Sequence, residues 1–156
     1  MLEGKYYEQY GYYQDGWTTS STGSGGTWYD SNIAHTITSD LTLYPYWVKK
    51  KFNFTLGSAT GINTFGSTVS GEYEWGTEII LKATPATGYE FVKWQSSNNN
   101  LVDEDDISDS ETYFEMPKGD ITITPVAKLK EYTITLSHGL YSDTLIIDNK
   151  LTQTHD

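Results

Sequence analysis

Apolar and polar residues alternate along several short stretches of the chain, which is the pattern of half-buried β-strands. From Phe52 to Leu56, two Phe residues and a Leu alternate with Asn and Thr, and Ile79, Leu81 and Ala83 likewise share one face. Gly, Pro and Asn separate these stretches, and good helix-forming segments are scarce. The pattern therefore predicts a mainly β fold with little helix. Strands are predicted over 41–47, 52–56, 69–75, 79–83, 89–94, 112–115, 121–123, 132–136 and 143–147.

The chain also nearly repeats itself. Three pairs of segments carry the period: 11–17 with 88–94, 40–45 with 120–125, and 51–56 with 131–136. The offset is 77 residues for the first pair and 80 for the other two. Because chance seldom places three landmarks at one period, the sequence predicts a tandem array of small β-rich modules. Such arrays serve more often as stalks, spacers or binding surfaces than as enzymes.

The period also predicts where the modules begin and end. Residues 1–50 hold the closing part of a first repeat without its opening strands, residues 51–130 hold a complete repeat, and residues 131–156 hold the opening strands of another. Three explanations are open. The chain is cut from a longer array, or its last strands fold back to complete residues 1–50, or they complete the N-terminal part of another copy by strand donation.

Three segments of the second unit, 69–85, 88–94 and 116–123, read VSGEYEWGTEIILKATP, GYEFVKW and MPKGDITI. Together they resemble the divergent internalin B-type repeat of bacterial surface proteins, and the resemblance extends over essentially all of 51–130. It implies a β-grasp-like module, as found in adhesins and other cell-envelope proteins. The family has no catalytic residues that this chain could inherit.

The first unit resembles the Listeria–Bacteroides form of the same internalin B-type repeat. The matching residues are Gly11-Tyr12, Gly16-Trp17, the segment 39–44 and Trp47. The chain departs from that form at Gln14, where the repeat usually has an aromatic residue, and at Pro45-Tyr46, which replaces small and basic residues.

Charge and composition narrow the classes of partner. The net charge is −11 and the chain has no Arg, so contacts to phosphate in nucleic acids or anionic membranes are disfavoured. With no Cys, disulfides and thiolate metal sites are excluded. No run is long and apolar enough to span a membrane, and residues 1–5 do not open a signal peptide. We expect no nucleic-acid binding and no membrane insertion.

The densest group of carboxylates lies between 103 and 111, and calcium is bound by such oxygens. The weak calcium candidates are Asp103, Asp105, Asp106 and Asp109. Their spacing lacks the pattern of a calcium loop, so a solvated acidic loop is the favoured interpretation. The His residues are far apart and no nucleophile motif is present, so we expect no metal, no cofactor and no enzyme activity.

Aromatic residues are more numerous than one small core usually needs, at 15% of the chain. Exposed Tyr and Trp rings bind sugars and partner proteins well. The candidate ligand-binding residues are Trp28, Tyr29, Tyr44 and Tyr46. The simpler interpretation is that these rings fill the core and the module junction.

These observations favour a non-enzymatic repeat segment of a bacterial cell-surface or secreted protein, which acts as stalk, spacer or adhesive surface. The expected location is extracellular, and any targeting signal lies outside this chain. The expected partners are neighbouring repeats of the parent chain and an unidentified surface protein or glycan of the host or of bacteria. The alternatives are a carbohydrate-binding module attached to an extracellular enzyme, and a module of a phage virion appendage.

Overall fold

The computed structural model describes residues 8–23, 25–97, 108–138 and 141–148. Within these ranges the chain is mainly β, as the alternating pattern predicts. It divides into two compact units. Unit 1 comprises the described residues of Met1–Asn53, Glu72–Thr77 and Met116–Asp120, and unit 2 comprises those of Phe54–Gly71, Glu78–Glu115 and Ile121–Asp156. Among the described residues there is no helix of the length and hydropathy needed to cross a membrane.

The strands, in chain order, are β1 (Glu8–Gln9), β2 (Tyr12–Thr18), β3 (Trp28–Tyr29), β4 (Tyr44–Lys49), β5 (Lys51–Leu56), β6 (Ile62–Asn63), β7 (Gly71–Glu74), β8 (Glu78–Lys82), β9 (Thr84–Pro85), β10 (Tyr89–Ser96), β11 (Glu111–Glu115), β12 (Ile121–Leu129), β13 (Glu131–His138) and β14 (Tyr141–Asp148).

In unit 1, β2 is the central strand of a small antiparallel sheet. The strands β1 and β3 pair with one edge of β2, and β4 pairs with the other. The ladder between β2 and β4 shifts register between Gln14 and Trp17. Gly16 lies inside this β-bulge with a φ of 102°, a conformation that favours glycine because it lacks a Cβ.

A second four-stranded sheet has the strand order β10-β12-β5-β7. Its two central strands, β12 and β5, run parallel, and Ile121 pairs with Phe54 while Ile123 pairs with Leu56. Three further pairs are antiparallel: β8 with β11, β6 with β9, and the hairpin of β13 and β14.

The core of unit 2 follows the alternation in the sequence. Ile79 and Leu81 are fully buried while Ile80 between them is exposed, as predicted for β8. Trp94 is buried in β10, and Phe54 packs edge-on against Phe114 with 6.0 Å between ring centroids. Each fully buried side chain of this kind contributes about 1.5–3 kcal/mol.

The aligned segments 11–17 and 88–94 share one backbone arrangement. Gly11 has a φ of 86° and Gly88 a φ of 84°, and each immediately precedes a strand. The carbonyl of Gly11 accepts a hydrogen bond from the N–H of Lys50 at 2.9 Å, and the carbonyl of Gly88 accepts one from Lys130 at 2.8 Å. Lys130 lies 80 residues after Lys50, so these bonds occupy equivalent places in the period.

The strands that follow these glycines also pair in the same way. Trp17 of β2 lies opposite Pro45 of β4, and Trp94 of β10 lies opposite Pro125 of β12. Both ladders are antiparallel and both carry a register shift before the Trp. The likeness between the two sequence segments is therefore also a likeness of local structure.

One predicted strand is wrong in its first part. The alternation over 41–47 predicts a strand, but β4 begins at Tyr44, and Leu41 to Leu43 carry no assigned strand. Their counterparts Ile121 to Ile123 are held by parallel pairing with β5. No strand in the described part of the chain pairs with Leu41 to Leu43, so alternation alone does not form one there.

The compact units do not follow the boundaries of the sequence period. The segments 72–77 and 116–120, which fall in the predicted complete repeat, pack with the N-terminal residues in unit 1. The hairpin of β13 and β14 lies in the segment 131–156, where opening strands are predicted. That residues 1–50, 51–130 and 131–156 are separate modules stays a prediction.

Candidate functional site

Two of the four candidate aromatic residues lie in one row across the sheet of unit 1. Trp28 of β3 and Tyr44 of β4 are both paired with Thr18 of β2, one on each side. Directly paired residues project from the same face of an antiparallel sheet, and neighbouring strands lie about 4.8 Å apart. Trp28 is 47% exposed and Tyr44 is 37% exposed, while Thr18 between them is buried. The row therefore presents two partly exposed rings to solvent.

The ring of Trp28 is held in place by the bulge of β2. Its indole N–H donates a hydrogen bond to the carbonyl of Asp15 at 2.7 Å. A Cβ added to Gly16 would lie 2.8 Å from the same indole nitrogen, so the ring rests directly on the glycine. A ring fixed in this way loses little conformational entropy when it binds a ligand.

The other two candidate residues, Tyr29 and Tyr46, are less accessible to a ligand. Tyr29 is half-buried and packs edge-on against His35, with 5.0 Å between ring centroids. Tyr46 is also half-buried, in the middle of β4. The structure thus brings Trp28 and Tyr44 together as an exposed pair and places Tyr29 and Tyr46 partly in the packing of unit 1. Whether any of the four binds a ligand stays a prediction.

A second aromatic cluster in unit 1 is not apparent from the sequence. The ammonium groups of Lys49 and Lys118 lie over the ring of Trp75, at 4.4 and 4.3 Å from its centroid. The indole N–H of Trp75 donates to the carbonyl of Gly11 at 2.7 Å, and Tyr12 packs against the ring edge-on. These residues are far apart in the sequence, and only the fold brings them together. The cluster fits the simpler interpretation of aromatic residues as packing.

Next to this cluster is a recess of about 360 Å³. Tyr10 lines it and is 79% exposed, with the ammonium group of Lys118 at 5.2 Å from its ring centroid. Lys50 and Phe52 line the same recess. In a chain with a net charge of −11, the recess places two Lys side chains beside an aromatic face, and Lys118 makes a cation–π contact with that face.

An open groove of about 470 Å³ lies along the loop that follows β3. Its aliphatic walls are formed by Ile33, Ile37, Leu41 and Leu43, and its polar residues are His35, Ser39 and Asp40. Ile33 and Ile37 are 56% and 52% exposed. The groove therefore exposes an apolar surface of the kind that another chain segment can cover.

The weak calcium candidates are only partly visible. Asp103, Asp105 and Asp106 lie outside the described residues. Asp109 is exposed, and its backbone carbonyl accepts a hydrogen bond from the indole N–H of Trp94 at 3.0 Å. Within the described ranges, no three His, Asp or Glu side chains are grouped so that they could hold a metal ion.

Comparison with known proteins identifies one part of the chain. Residues 55–127 match the family model of the divergent InlB B-repeat domain. The searches of curated proteins and of solved structures gave no match. The matched range includes the Gly88 turn, the buried Trp94 and the buried Ile121 and Ile123 of β12. Residues 55–127 are therefore a divergent InlB B-repeat, as the sequence motifs of this segment predict.

Proposed function

We propose that the chain is a non-enzymatic repeat segment of a bacterial cell-surface or secreted protein, which serves as stalk, spacer or adhesive surface. The match of residues 55–127 to the divergent InlB B-repeat supports this proposal most directly. The shared arrangement after Gly11 and Gly88 further supports a second, related unit in the N-terminal part. Repetition of one small module extends a chain outward, and that is the property a stalk or spacer needs.

Cell-surface location can be tested in the bacterium that encodes the chain. Antibodies raised against the chain should label intact cells, and brief protease treatment of those cells should remove the signal. A cytoplasmic protein of the same bacterium serves as the control, because it should be labelled only after permeabilisation. Labelling of the repeat only in permeabilised cells, with none in the culture medium, would contradict the proposal.

A carbohydrate-binding function is the second candidate, and the row of Trp28 and Tyr44 favours it. Two partly exposed rings flank a buried Thr, and one of them is fixed by a hydrogen bond of 2.7 Å to the backbone. Flat, rigid rings of this kind stack on the apolar faces of sugars at low entropic cost.

Glycan-array screening tests this second candidate. If sugars stack on the row, the wild type should bind some glycans and the Trp28→Ala variant should bind the same glycans at least tenfold more weakly. Tyr113→Ala is the matched control, because Tyr113 is 64% exposed and lies in β11, outside the row. Equal binding by all three proteins, or no binding by the wild type, would remove the carbohydrate interpretation.

A further inference from the structure

The recess beside Tyr10 differs in charge from the chain as a whole. Over the whole sequence, Asp and Glu together number 21, against 10 Lys. The recess is instead lined by Lys50 and Lys118, and its described lining residues include no Asp or Glu. A third ammonium group, that of Lys49, lies close by over the ring of Trp75. The lining of this recess is therefore basic, although the chain is acidic.

Two aromatic rings hold the ammonium group of Lys118 in place. Its Nζ lies 4.3 Å from the ring centroid of Trp75 and 5.2 Å from that of Tyr10. Its aliphatic stem passes so close to Gly11 that a Cβ added there would lie 2.9 Å from the Lys118 Cδ. A cation held in this way loses little conformational entropy when a ligand binds. An ammonium group has three N–H donors, and two ring contacts leave at least one of them for an acceptor on a ligand.

The positive charges around Trp75 repel one another, and a bound anion relieves this repulsion. The ammonium groups of Lys49 and Lys118 lie 4.4 and 4.3 Å from the same ring centroid, so they cannot be further apart than the sum of these two distances. That separation is comparable with the Debye length, which is about 8 Å at physiological ionic strength. Salt therefore screens the repulsion only in part, and a negative group beside Lys118 is attracted by both cations.

The recess also offers an apolar surface beside these charges. The ring of Tyr10 is 79% exposed, Phe52 forms part of the wall, and Gln9 adds an amide that suits hydrogen bonds to hydroxyl groups. The volume of about 360 Å³ falls within the range of about 300–1,000 Å³ that is typical of small-molecule sites. Such sites combine apolar and aromatic walls with a few polar groups, and this recess has the same composition.

We propose that this recess binds an acidic sugar residue, with the pyranose ring on Tyr10 and the carboxylate at the ammonium group of Lys118. Ammonium groups donate charge-assisted hydrogen bonds to carboxylates, and Lys50 brings a second cation to the same recess. The ligand class is therefore a glycan that contains uronic acids. The recess shares no residue with the row of Trp28 and Tyr44, and the proposal holds whether or not that row binds sugars.

NMR titration of the wild type tests the site without any substitution. The probe is tetragalacturonic acid, in which every pyranose ring carries a carboxylate, and the control ligand is its methyl ester, which has the same rings without the charges. The amide signals of Gly11 and Lys50 should shift with the acid, while that of Gly88 in unit 2 should not. The methyl ester should bind at least tenfold more weakly. No shift with the acid, equal binding of the two ligands, or equal shifts at Gly88 would overturn the proposal.

Sodium sulfate separates recognition of a sugar from binding of any anion. Sulfate carries negative charge but has no ring to lie on Tyr10, so its dissociation constant should be at least tenfold higher than that of the acid. Tyr10→Ala should weaken binding of the acid at least fivefold and leave sulfate binding unchanged, and Tyr113→Ala is the matched control because Tyr113 is 64% exposed in β11. Equal affinities for sulfate and the acid, or an unchanged affinity of Tyr10→Ala for the acid, would contradict the proposal.

Lys variants distinguish a local contact from an effect of net charge. Lys118→Gln should weaken binding of the acid at least tenfold, and Lys118→Arg should retain most of it, since a guanidinium group also lies over aromatic rings and pairs with carboxylates. Lys93→Gln is the control and should bind as the wild type, because it removes the same charge from an exposed position in β10. If Lys118→Gln disturbs the amide spectrum of unit 1, Lys50→Gln takes its place. Equal losses for the recess variant and Lys93→Gln, or no loss for either, would overturn the proposal.

Discussion

Replacement of Trp17 and of Trp94 by Phe tests whether equivalent positions of the two units differ as the structure indicates. The indole N–H of Trp94 donates to the carbonyl of Asp109 at 3.0 Å. The indole nitrogen of Trp17 is buried, and among the described residues it has no hydrogen-bond partner. The same substitution therefore removes a satisfied donor in unit 2 and an unsatisfied one in unit 1.

The change in the free energy of unfolding can be estimated separately for each of the two substitutions. Trp94 is 1% exposed, so Trp94→Phe loses about 1–2 kcal/mol of packing and about 1 kcal/mol from the hydrogen bond. Trp17 is half-buried and loses less packing, while removal of a buried unsatisfied donor returns about 1–3 kcal/mol. We expect Trp94→Phe to destabilise unit 2 by about 2–3 kcal/mol and Trp17→Phe to change the stability of unit 1 by less than about 1 kcal/mol.

Urea unfolding followed by backbone amide signals in NMR spectra measures each unit by itself. The amide of Gly11 reports on unit 1 and the amide of Gly88 on unit 2. With a denaturant slope of about 1–2 kcal/mol per molar, Trp94→Phe should lower the urea midpoint of unit 2 by about 1–3 M. Trp17→Phe should move the urea midpoint of unit 1 by less than about 1 M. Equal decreases of the urea midpoint in both units would refute the reasoning from the unpaired indole N–H of Trp17.

Two further predictions concern steric fit and charge in unit 2. A Cβ added at Gly61 would overlap the ring of Tyr89, whereas one at Gly66 would meet only the flexible side chain of Lys82 at 3.2 Å. Both glycines have positive φ, so backbone strain is common to the two substitutions. Gly61→Ala should therefore destabilise unit 2 by about 1–3 kcal/mol more than Gly66→Ala in urea unfolding, and equal costs would contradict this. The hydrogen bond and charge of Glu90, whose carboxylate lies 2.8 Å from the Lys128 ammonium, raise the pKa of Lys128. The stabilisation from this pair is fully present below the unfolded pKa of Lys and is lost as the pH rises through the folded pKa. The urea midpoints of the wild type and of Lys128→Gln should therefore converge at alkaline pH. A difference between the two midpoints that does not change with pH would contradict the pairing.

Much of the fold could be predicted from local sequence, and the reason is physical. In β8 the alternation of Ile79, Ile80 and Leu81 matches alternate burial, because successive side chains of a strand point to opposite faces. The Gly88 turn was predictable because the turn before β10 needs a residue that tolerates positive φ. Both signals are contained within a few residues.

The contacts of the candidate sites were much harder to predict. Trp75, Lys49 and Lys118 meet only through the fold of unit 1, and no local pattern relates them. The aromatic surplus did single out Trp28 and Tyr44, but the sequence could not separate them from the half-buried Tyr29 and Tyr46. That separation depends on cross-strand register, since Thr18 lies between the two exposed rings.

The segment from Asp40 to Leu43 shows most clearly that a local pattern of apolar and polar residues does not by itself determine whether a strand forms. Its sequence, Asp-Leu-Thr-Leu, differs from Asp-Ile-Thr-Ile at 120–123 only in the branching of its aliphatic residues. Such a difference changes β-propensity by a fraction of about 1 kcal/mol, which is too small to decide between strand and loop. What differs decisively is the neighbour, because Ile121 to Ile123 have β5 beside them. The strand state of this segment is therefore a property of the pair of strands and not of the segment alone.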